Sequence, residues 1–176
     1  MTTQTRIIRK VAILSLFSAM ALALYMLESL LPPLIPVPGV KLGLSNIITL
    51  FLLVRYKPYD AAVVLLVRLL LAAAIAGQLI SFLYSLCGGA MCLIAMWLLL
   101  RFTNGKFIVI ISMIGALVHN AGQLLVARLI IGSSHIFAYF PVLMLSGSAA
   151  GLLTGLVCWL MHQKLPALPL EKSEKK

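Results

Sequence analysis

Six long apolar runs constrain the fold of this chain more than any other feature of its sequence. A helix that crosses the hydrocarbon core of a bilayer needs about 20 mostly apolar residues, and five of the runs reach that length within error. The sequence therefore predicts an all-α fold, a polytopic membrane protein built as a bundle of six transmembrane helices. The runs cover residues 11–31, 42–54, 59–76, 79–100, 107–131 and 136–161.

The composition supports the same class. Hydrophobic residues make up 62% of the 176 residues and charged residues only 10%, whereas a soluble domain is about one quarter charged. Polar side chains are too few to cover a water-facing surface, so we expect membrane lipid around most of the chain. We predict one transmembrane domain over residues 1–165 and a polar cytoplasmic tail over residues 166–176.

The basic residues indicate the topology. In a soluble protein the net charge of +10 would suggest a nucleic-acid partner, but here the basic residues lie at the ends of apolar runs, so we expect none. One set of alternate loops carries nearly all Lys and Arg, and the other carries only Lys41 and Arg128. Because cytoplasmic loops are enriched in Lys and Arg, the asymmetry predicts a multi-pass cell-membrane protein with both termini cytoplasmic.

The second run is too short to span a membrane, and the stretch "PGVKLGLSNIITLF" leads into it. Non-helical backbone survives at membrane depth only against protein or a water-filled cavity. We predict that Ser45 and Asn46 cap a short helix, and that Lys41 and Asn46 contact a ligand from an outer wall or lid. The alternative is that Lys41 meets lipid phosphates and Asn46 only caps the helix.

Arg68 lies near the middle of the third run, where a charge is costly and is functional by default. Three explanations are open. Arg68 pairs with Glu28 or with backbone carbonyls, or it faces a cavity and holds an anionic or carbonyl group of a ligand. In the third, its side chain extends to a lipid headgroup. Asp60 lies about two helical turns away on the same helix.

The fifth run contains the densest polar cluster, "GALVHNAGQLLVAR". His119 and Gln123 share one helix face at a spacing of four residues, Asn120 is adjacent, and Arg128 follows. The cluster either forms hydrogen bonds between helices or lines a binding pocket. Gln78 near the start of the fourth run is a weaker candidate for the same pocket, as are Ser81, Tyr84 and Ser85.

The sequence shows no catalytic triad, no phosphate-binding glycine loop and no paired acids. Cys87, Cys92 and Cys158 lack the spacing of a metal site. We therefore expect no enzymatic activity, no metal and no cofactor.

Two stripes of small residues recur at four-residue spacing, a pattern that lets two helices approach closely. The first is Ser15, Ala19 and Ala23, and the second is Gly147, Gly151 and Gly155. Each stripe either packs inside the bundle or docks a partner protein.

Four blocks in order resemble the Gx transporter family, which is also labelled heptaprenyl diphosphate synthase component I. The likeness as a whole covers nearly all of residues 8–162. The six-helix layout of the family is similar to the substrate-binding S components of energy-coupling factor (ECF) transporters. The blocks are "PGVKLGLSNIITLF", "SLCGGAMCLIAMWLLLR", "GALVHNAGQLLVARL" and "LSGSAAGLLTGL".

The resemblance implies a solute-binding subunit that takes up a small organic molecule, such as a flavin, a vitamin-like ring or a quinone precursor. It also implies that the Ser15, Ala19 and Ala23 stripe docks an ECF T component coupled to cytoplasmic ATPase subunits. The alternative is a non-catalytic accessory subunit of polyprenyl diphosphate or menaquinone synthesis, or of a membrane redox complex. A prenyl synthase needs clustered aspartates to hold magnesium, and Asp60 is the single Asp of the chain.

Overall fold

A computed structural model describes residues 3–30, 43–77 and 79–166. These residues form six α-helices and one short 3₁₀ helix, with no strand among them. Five of the helical segments are long and apolar enough to cross a membrane, which confirms the predicted all-α membrane bundle. The helices are α1 (Thr3–Leu30), α2 (Asn46–Arg55), α3 (Pro58–Ala76), α4 (Leu79–Phe102), α5 (Ile108–Ile131) and α6 (Phe140–Lys164), and the 3₁₀ helix Ser134–Tyr139 precedes α6.

Local sequence explains where several helices begin and end. Pro58 is the first residue of α3 and follows Lys57, whose backbone is extended. Proline suits this position, because a backbone N–H in the first turn would have no acceptor within the helix. Gly77 and Gly132 close α3 and α5 in the left-handed conformation, with φ of 63° and 74°, because glycine has no Cβ to oppose it.

Helix α2 forms the centre of the bundle and packs against α1, α3, α4 and α6. Seven consecutive residues from Ile47 to Leu53 are buried, so α2 is apolar on every side. The outer helices follow the contact order α1, α3, α4, α5 and α6. A core cluster surrounds α2, and Phe51 at its centre lies 5.7 Å, centroid to centroid, from the ring of Phe17 on α1.

Side chains at one end of the bundle tie distant parts of the chain together. Lys10 Nζ of α1 lies 2.6 Å from Asp60 Oδ1 of α3. Arg55 at the end of α2 donates hydrogen bonds of 3.1 and 3.2 Å to the carbonyl oxygen of Leu165 after α6. We call this the basic end, because the described part of α1 begins here and α2, α4 and α6 each end here in a basic residue or next to one.

The second stripe of small residues lies inside the bundle, between α6 and α5. A Cβ on Gly151 would stand 2.6 Å from Met113 Cα, and one on Gly155 would stand 2.8 Å from Val109 Cα. Both distances are too short for a real side chain, so α5 and α6 touch backbone to backbone here. Ser112 and Thr154 add a buried hydrogen bond of 2.9 Å across the same seam.

Candidate functional site

The N-terminus of α2 lies deep inside the bundle. Helix α2 has ten residues, so it is about 15 Å long, or half of the hydrocarbon thickness of about 30 Å. Its C-terminus, Arg55, is at the basic end, which leaves Ser45 and Asn46 near mid-depth. Gly43 turns the chain into this helix with φ of 75°, a left-handed conformation that glycine adopts readily because it has no Cβ.

Glu28 of α1 binds the backbone that leads into α2. Its Oε1 accepts a hydrogen bond of 2.6 Å from Gly43 N, and its Oε2 accepts one of 3.1 Å from Leu44 N. The side chain is 6% exposed. A carboxylate here favours the helix start, since free N–H groups and the helix dipole attract negative charge.

Arg68 of α3 also contacts the segment that leads into α2. It is 3% exposed, and its Nη1 donates a hydrogen bond to the Ser45 hydroxyl. The guanidinium carbon lies 5.9 Å from the centre of the Tyr25 ring on α1. Glu28 interacts electrostatically with Arg68.

Two local expectations need correction. Ser45 makes no side-chain cap on α2, because its hydroxyl accepts from Arg68 instead. Asn46 is the first residue of the helix rather than its cap, and its backbone N–H donates a hydrogen bond of 2.8 Å to the carbonyl oxygen of Gly43.

Asp60, the other acidic residue on the Arg68 helix, pairs with Lys10 at the basic end.

A narrow cleft adjoins the Arg68 cluster between α1, α3 and α4. Its cavity volume is about 10 Å³, room for about one water molecule, and the cleft is partly open to the outside. The walls are mainly apolar, with two serine hydroxyls on the α4 side. The lining residues are Tyr25, Leu69, Ala72, Ala73, Ser81, Phe82 and Ser85.

The polar cluster of α5 lies against α4 and α6. His119, Asn120 and Gln123 are all buried. Asn120 Nδ2 donates a hydrogen bond of 2.8 Å to the Leu143 carbonyl of α6, so this amide joins two helices. On the α4 side, a Cβ on Gly88 would lie 2.8 Å from His119 O and 3.0 Å from Gln123 Cγ. Glycine at position 88 therefore lets α4 close onto the His119 and Gln123 face.

The remaining site predictions have different outcomes. Lys41 and Gln78 lie outside the described residues. Asn46 is half-buried over the Gly43 turn, where its Nδ2 would stand 2.9 Å from a Cβ on that glycine. Arg128 is partly exposed in the last turn of α5, at the bundle end opposite the basic end.

The first stripe of small residues faces outward. Ser15, Ala19 and Ala23 are all exposed on α1, unlike the second stripe, which is buried against α5. Within the part of the chain that the structure describes, the first stripe is not packed against another helix.

Sequence reasoning missed Tyr25 and the apolar wall formed by Leu69, Ala72 and Phe82. One signal for Tyr25 was available, since it precedes Glu28 by three residues and so shares its helix face. The apolar wall gave no signal, because its residues resemble every other lipid-facing or core position.

A comparison with known protein families identifies the family to which the chain belongs. The family model described as heptaprenyl diphosphate synthase component I matches residues 17–161, which include half of α1, all of α2 to α5 and most of α6. The chain belongs to the heptaprenyl diphosphate synthase component I family. No curated protein and no solved structure matches it.

The family match covers every described residue of the Arg68 cluster and of the cleft. Tyr25, Glu28, Ser45 and Arg68 all lie inside the matched range. The site is thus part of the region that the family model describes. The similarity to ECF S components rests on the motifs alone and stays a prediction.

Proposed function

We propose that this protein is the membrane-embedded, solute-binding subunit of a transporter. The observation that carries the proposal is Arg68, a charge buried at mid-depth of a membrane bundle beside a cleft. Charged residues within transmembrane segments mark substrate pathways more often than they serve structure. Ligand sites are concave and mostly apolar, with a few placed polar groups. The Arg68 cluster and its apolar cleft share that chemistry, and the cleft would have to widen to admit a solute.

The outward stripe on α1 supports a partner in the same process. Small residues let a second helix approach closely in lipid, and no helix among residues 3–30, 43–77 and 79–166 covers the three residues of the stripe. We propose that an ECF T component docks there and couples the protein to cytoplasmic ATPase subunits. The protein itself would bind solute and catalyse no reaction.

The family name offers a second function, a non-catalytic membrane subunit in heptaprenyl diphosphate synthesis. Elongation needs clustered aspartates for magnesium, and the whole chain has a single Asp, Asp60, which is paired with Lys10. If the name reflects a real role, another subunit would have to supply the chemistry. We favour transport because the buried polar cluster and its cleft are features of a solute site.

Mass spectrometry of small molecules that co-purify with the protein tests the proposal. Wild-type protein should retain a small organic solute that Arg68→Met protein lacks, and cells that express the wild type should accumulate that solute. An isoprenoid diphosphate as the retained molecule, with no uptake, would favour the second function instead. A set of molecules that is the same in both proteins, together with equal uptake, would contradict a solute site at Arg68.

A further inference from the structure

The loop between α4 and α5, at the basic end, exposes two phenylalanine side chains. Phe102 is the last residue of α4 and is 80% exposed, and Phe107 directly precedes α5 and is 63% exposed. Removing a phenylalanine ring from water is favourable, yet the part of the chain that the structure describes leaves most of both residues uncovered. Two aromatic side chains exposed in one short loop are therefore expected to contact something outside the chain.

The backbone of Phe107 is also strained. Its φ is 63°, in the left-handed region that a bulky side chain seldom occupies. Two hydrogen bonds hold the loop in this shape: Lys106 N–H donates one of 3.1 Å to the Thr103 carbonyl, and the Phe107 carbonyl accepts one of 3.0 Å from Ile111 N–H. Backbone strain is concentrated at functional positions. The strain at an exposed ring therefore indicates a role for Phe107 other than packing inside the bundle.

The depth of the loop favours lipid as its neighbour. Helices α4 and α5 have 24 residues each. Each is thus about 36 Å long, and when centred in about 30 Å of hydrocarbon it extends about 3 Å beyond each edge, into the headgroup layer. Leu98 of α4 and Ile110 of α5 lie about one turn deeper than the two rings and are exposed too. The lipid-facing surface of the two helices therefore continues onto the loop.

Basic side chains flank the two rings. Arg101 and Lys106 are both exposed, and neither forms an ion pair with an acid among residues 3–30, 43–77 and 79–166. The stretch from 101 to 107 contains no acidic residue. Segments that bind membrane surfaces combine the same residue types, because apolar rings enter the headgroup boundary while Lys and Arg attract anionic lipids.

From these observations we infer that the α4–α5 loop is a membrane-surface anchor that selects anionic lipids. Phe102 and Phe107 enter the headgroup boundary of the leaflet at the basic end, and Arg101 and Lys106 bind the phosphates of acidic phospholipids such as phosphatidylglycerol. The anchor sets the depth of α4 and α5 in the bilayer. It does not depend on the proposed transport function, because no residue of the Arg68 cluster takes part.

Tryptophan at the two ring positions would report the depth of the loop. Phe102→Trp and Phe107→Trp are made separately, in protein whose two natural tryptophans, Trp97 and Trp159, are replaced by phenylalanine. In vesicles of phosphatidylcholine and phosphatidylglycerol, lipids brominated near the top of the acyl chains should quench each reporter more than lipids brominated near the chain ends. Acrylamide in the water should quench both reporters weakly. Gln4→Trp, exposed in the first turn of α1, is the water-facing reference and should be quenched strongly by acrylamide.

The same reporter measures the lipid preference. At equal mole fractions, brominated phosphatidylglycerol should quench the Phe107→Trp protein more than brominated phosphatidylcholine does. Arg101→Gln and Lys106→Gln should each lower this local preference by up to about fivefold, the factor that corresponds to about 1 kcal/mol per basic residue at an anionic surface. Lys57→Gln and Lys164→Gln remove the same charge from other exposed positions of the basic end and should have little effect on the reporter.

The depth measurement separates lipid from the other possible neighbours of the loop. Acrylamide quenching of the loop reporters as strong as that of the Gln4→Trp protein would place the loop in water and overturn the inference. Protection from acrylamide without quenching by any brominated lipid would show that a protein covers the loop, which also overturns it. Equal quenching by the two headgroup classes would overturn the selection of anionic lipids. If the Phe107→Trp protein does not fold, the Phe102→Trp protein gives both readouts.

Discussion

At Arg68 the protein keeps a permanent charge in the middle of an apolar bundle. Ser45, Glu28 and Tyr25 make this tolerable by supplying a hydroxyl acceptor, a negative charge and an aromatic face. Tyr25 and Glu28 come from α1, and Ser45 comes from just before α2. The cluster therefore couples the start of the central helix to both α1 and α3.

Removing the Ser45 hydroxyl tests this coupling. Ser45→Ala takes away the acceptor of a buried charged donor, so the free energy of unfolding should fall by about 1–3 kcal/mol. Ser29→Ala is the matched control, because the Ser29 hydroxyl is exposed and bonds only to Met26 O of its own helix. Denaturant titration in micelles would measure both variants, and equal stability of the two would show that the Arg68–Ser45 bond contributes nothing.

At the scale of the elements, the two stripes of small residues have different roles in this bundle. On α6 they bring two helices of the same chain into backbone contact. On α1 they lie on the outside of the described bundle.

The α5–α6 seam should not tolerate a large side chain. Gly151→Leu would force a Cβ to within 2.6 Å of Met113 Cα, so α5 and α6 must separate and break the contact between Ser112 and Thr154. We expect a loss of about 1–3 kcal/mol or more, as in other overpacked cores. Ala149→Leu on the exposed face of α6 should leave the thermal unfolding midpoint unchanged. A Gly151→Leu protein as stable as the wild type would argue against the close seam.

The α1 stripe should instead affect assembly. Ala19→Leu should abolish co-purification with a co-expressed ECF T component while the protein still inserts and folds, because the bulky side chain would hold the two backbones apart. Ala74→Leu, on the exposed face of α3, serves as the control and should co-purify normally. Survival of the complex in the Ala19→Leu protein would rule out docking on this stripe.

At the scale of the whole molecule, the two ends of the bundle differ in charge. Arg55, Lys57, Arg101, Lys106 and Lys164 gather at the basic end, whereas Arg128 lies at the other. Because positive residues are retained on the cytoplasmic side, the basic end should face the cytoplasm.

Single cysteines in a cysteine-free background would test this orientation. His135→Cys, at an exposed position after α5, should react with a membrane-impermeant maleimide in intact cells. Thr3→Cys and Lys106→Cys, both exposed at the basic end, should react only after the membrane is opened. The reverse pattern would invert the topology.

Sequence alone determined the class of protein, the number of helices and most helix boundaries. These depend on local quantities: the length of an apolar run, proline at a helix start and glycine at a helix end. It also identified Arg68 and Glu28, because a charge inside an apolar run is visible without any structure. It assigned Ser45 to helix capping, whereas the structure gives its hydroxyl to Arg68.

Only the tertiary structure decided which faces of the helices meet. Periodicity could not show that α2 is central, since a helix apolar on all sides has no preferred face. The two small-residue stripes look alike in sequence, yet one is buried against α5 and the other is exposed. The cleft could not be predicted from the sequence either, because its walls come from three separate helices, α1, α3 and α4. Its shape depends on how far apart these helices pack, a distance set by side-chain contacts between residues far apart in the chain.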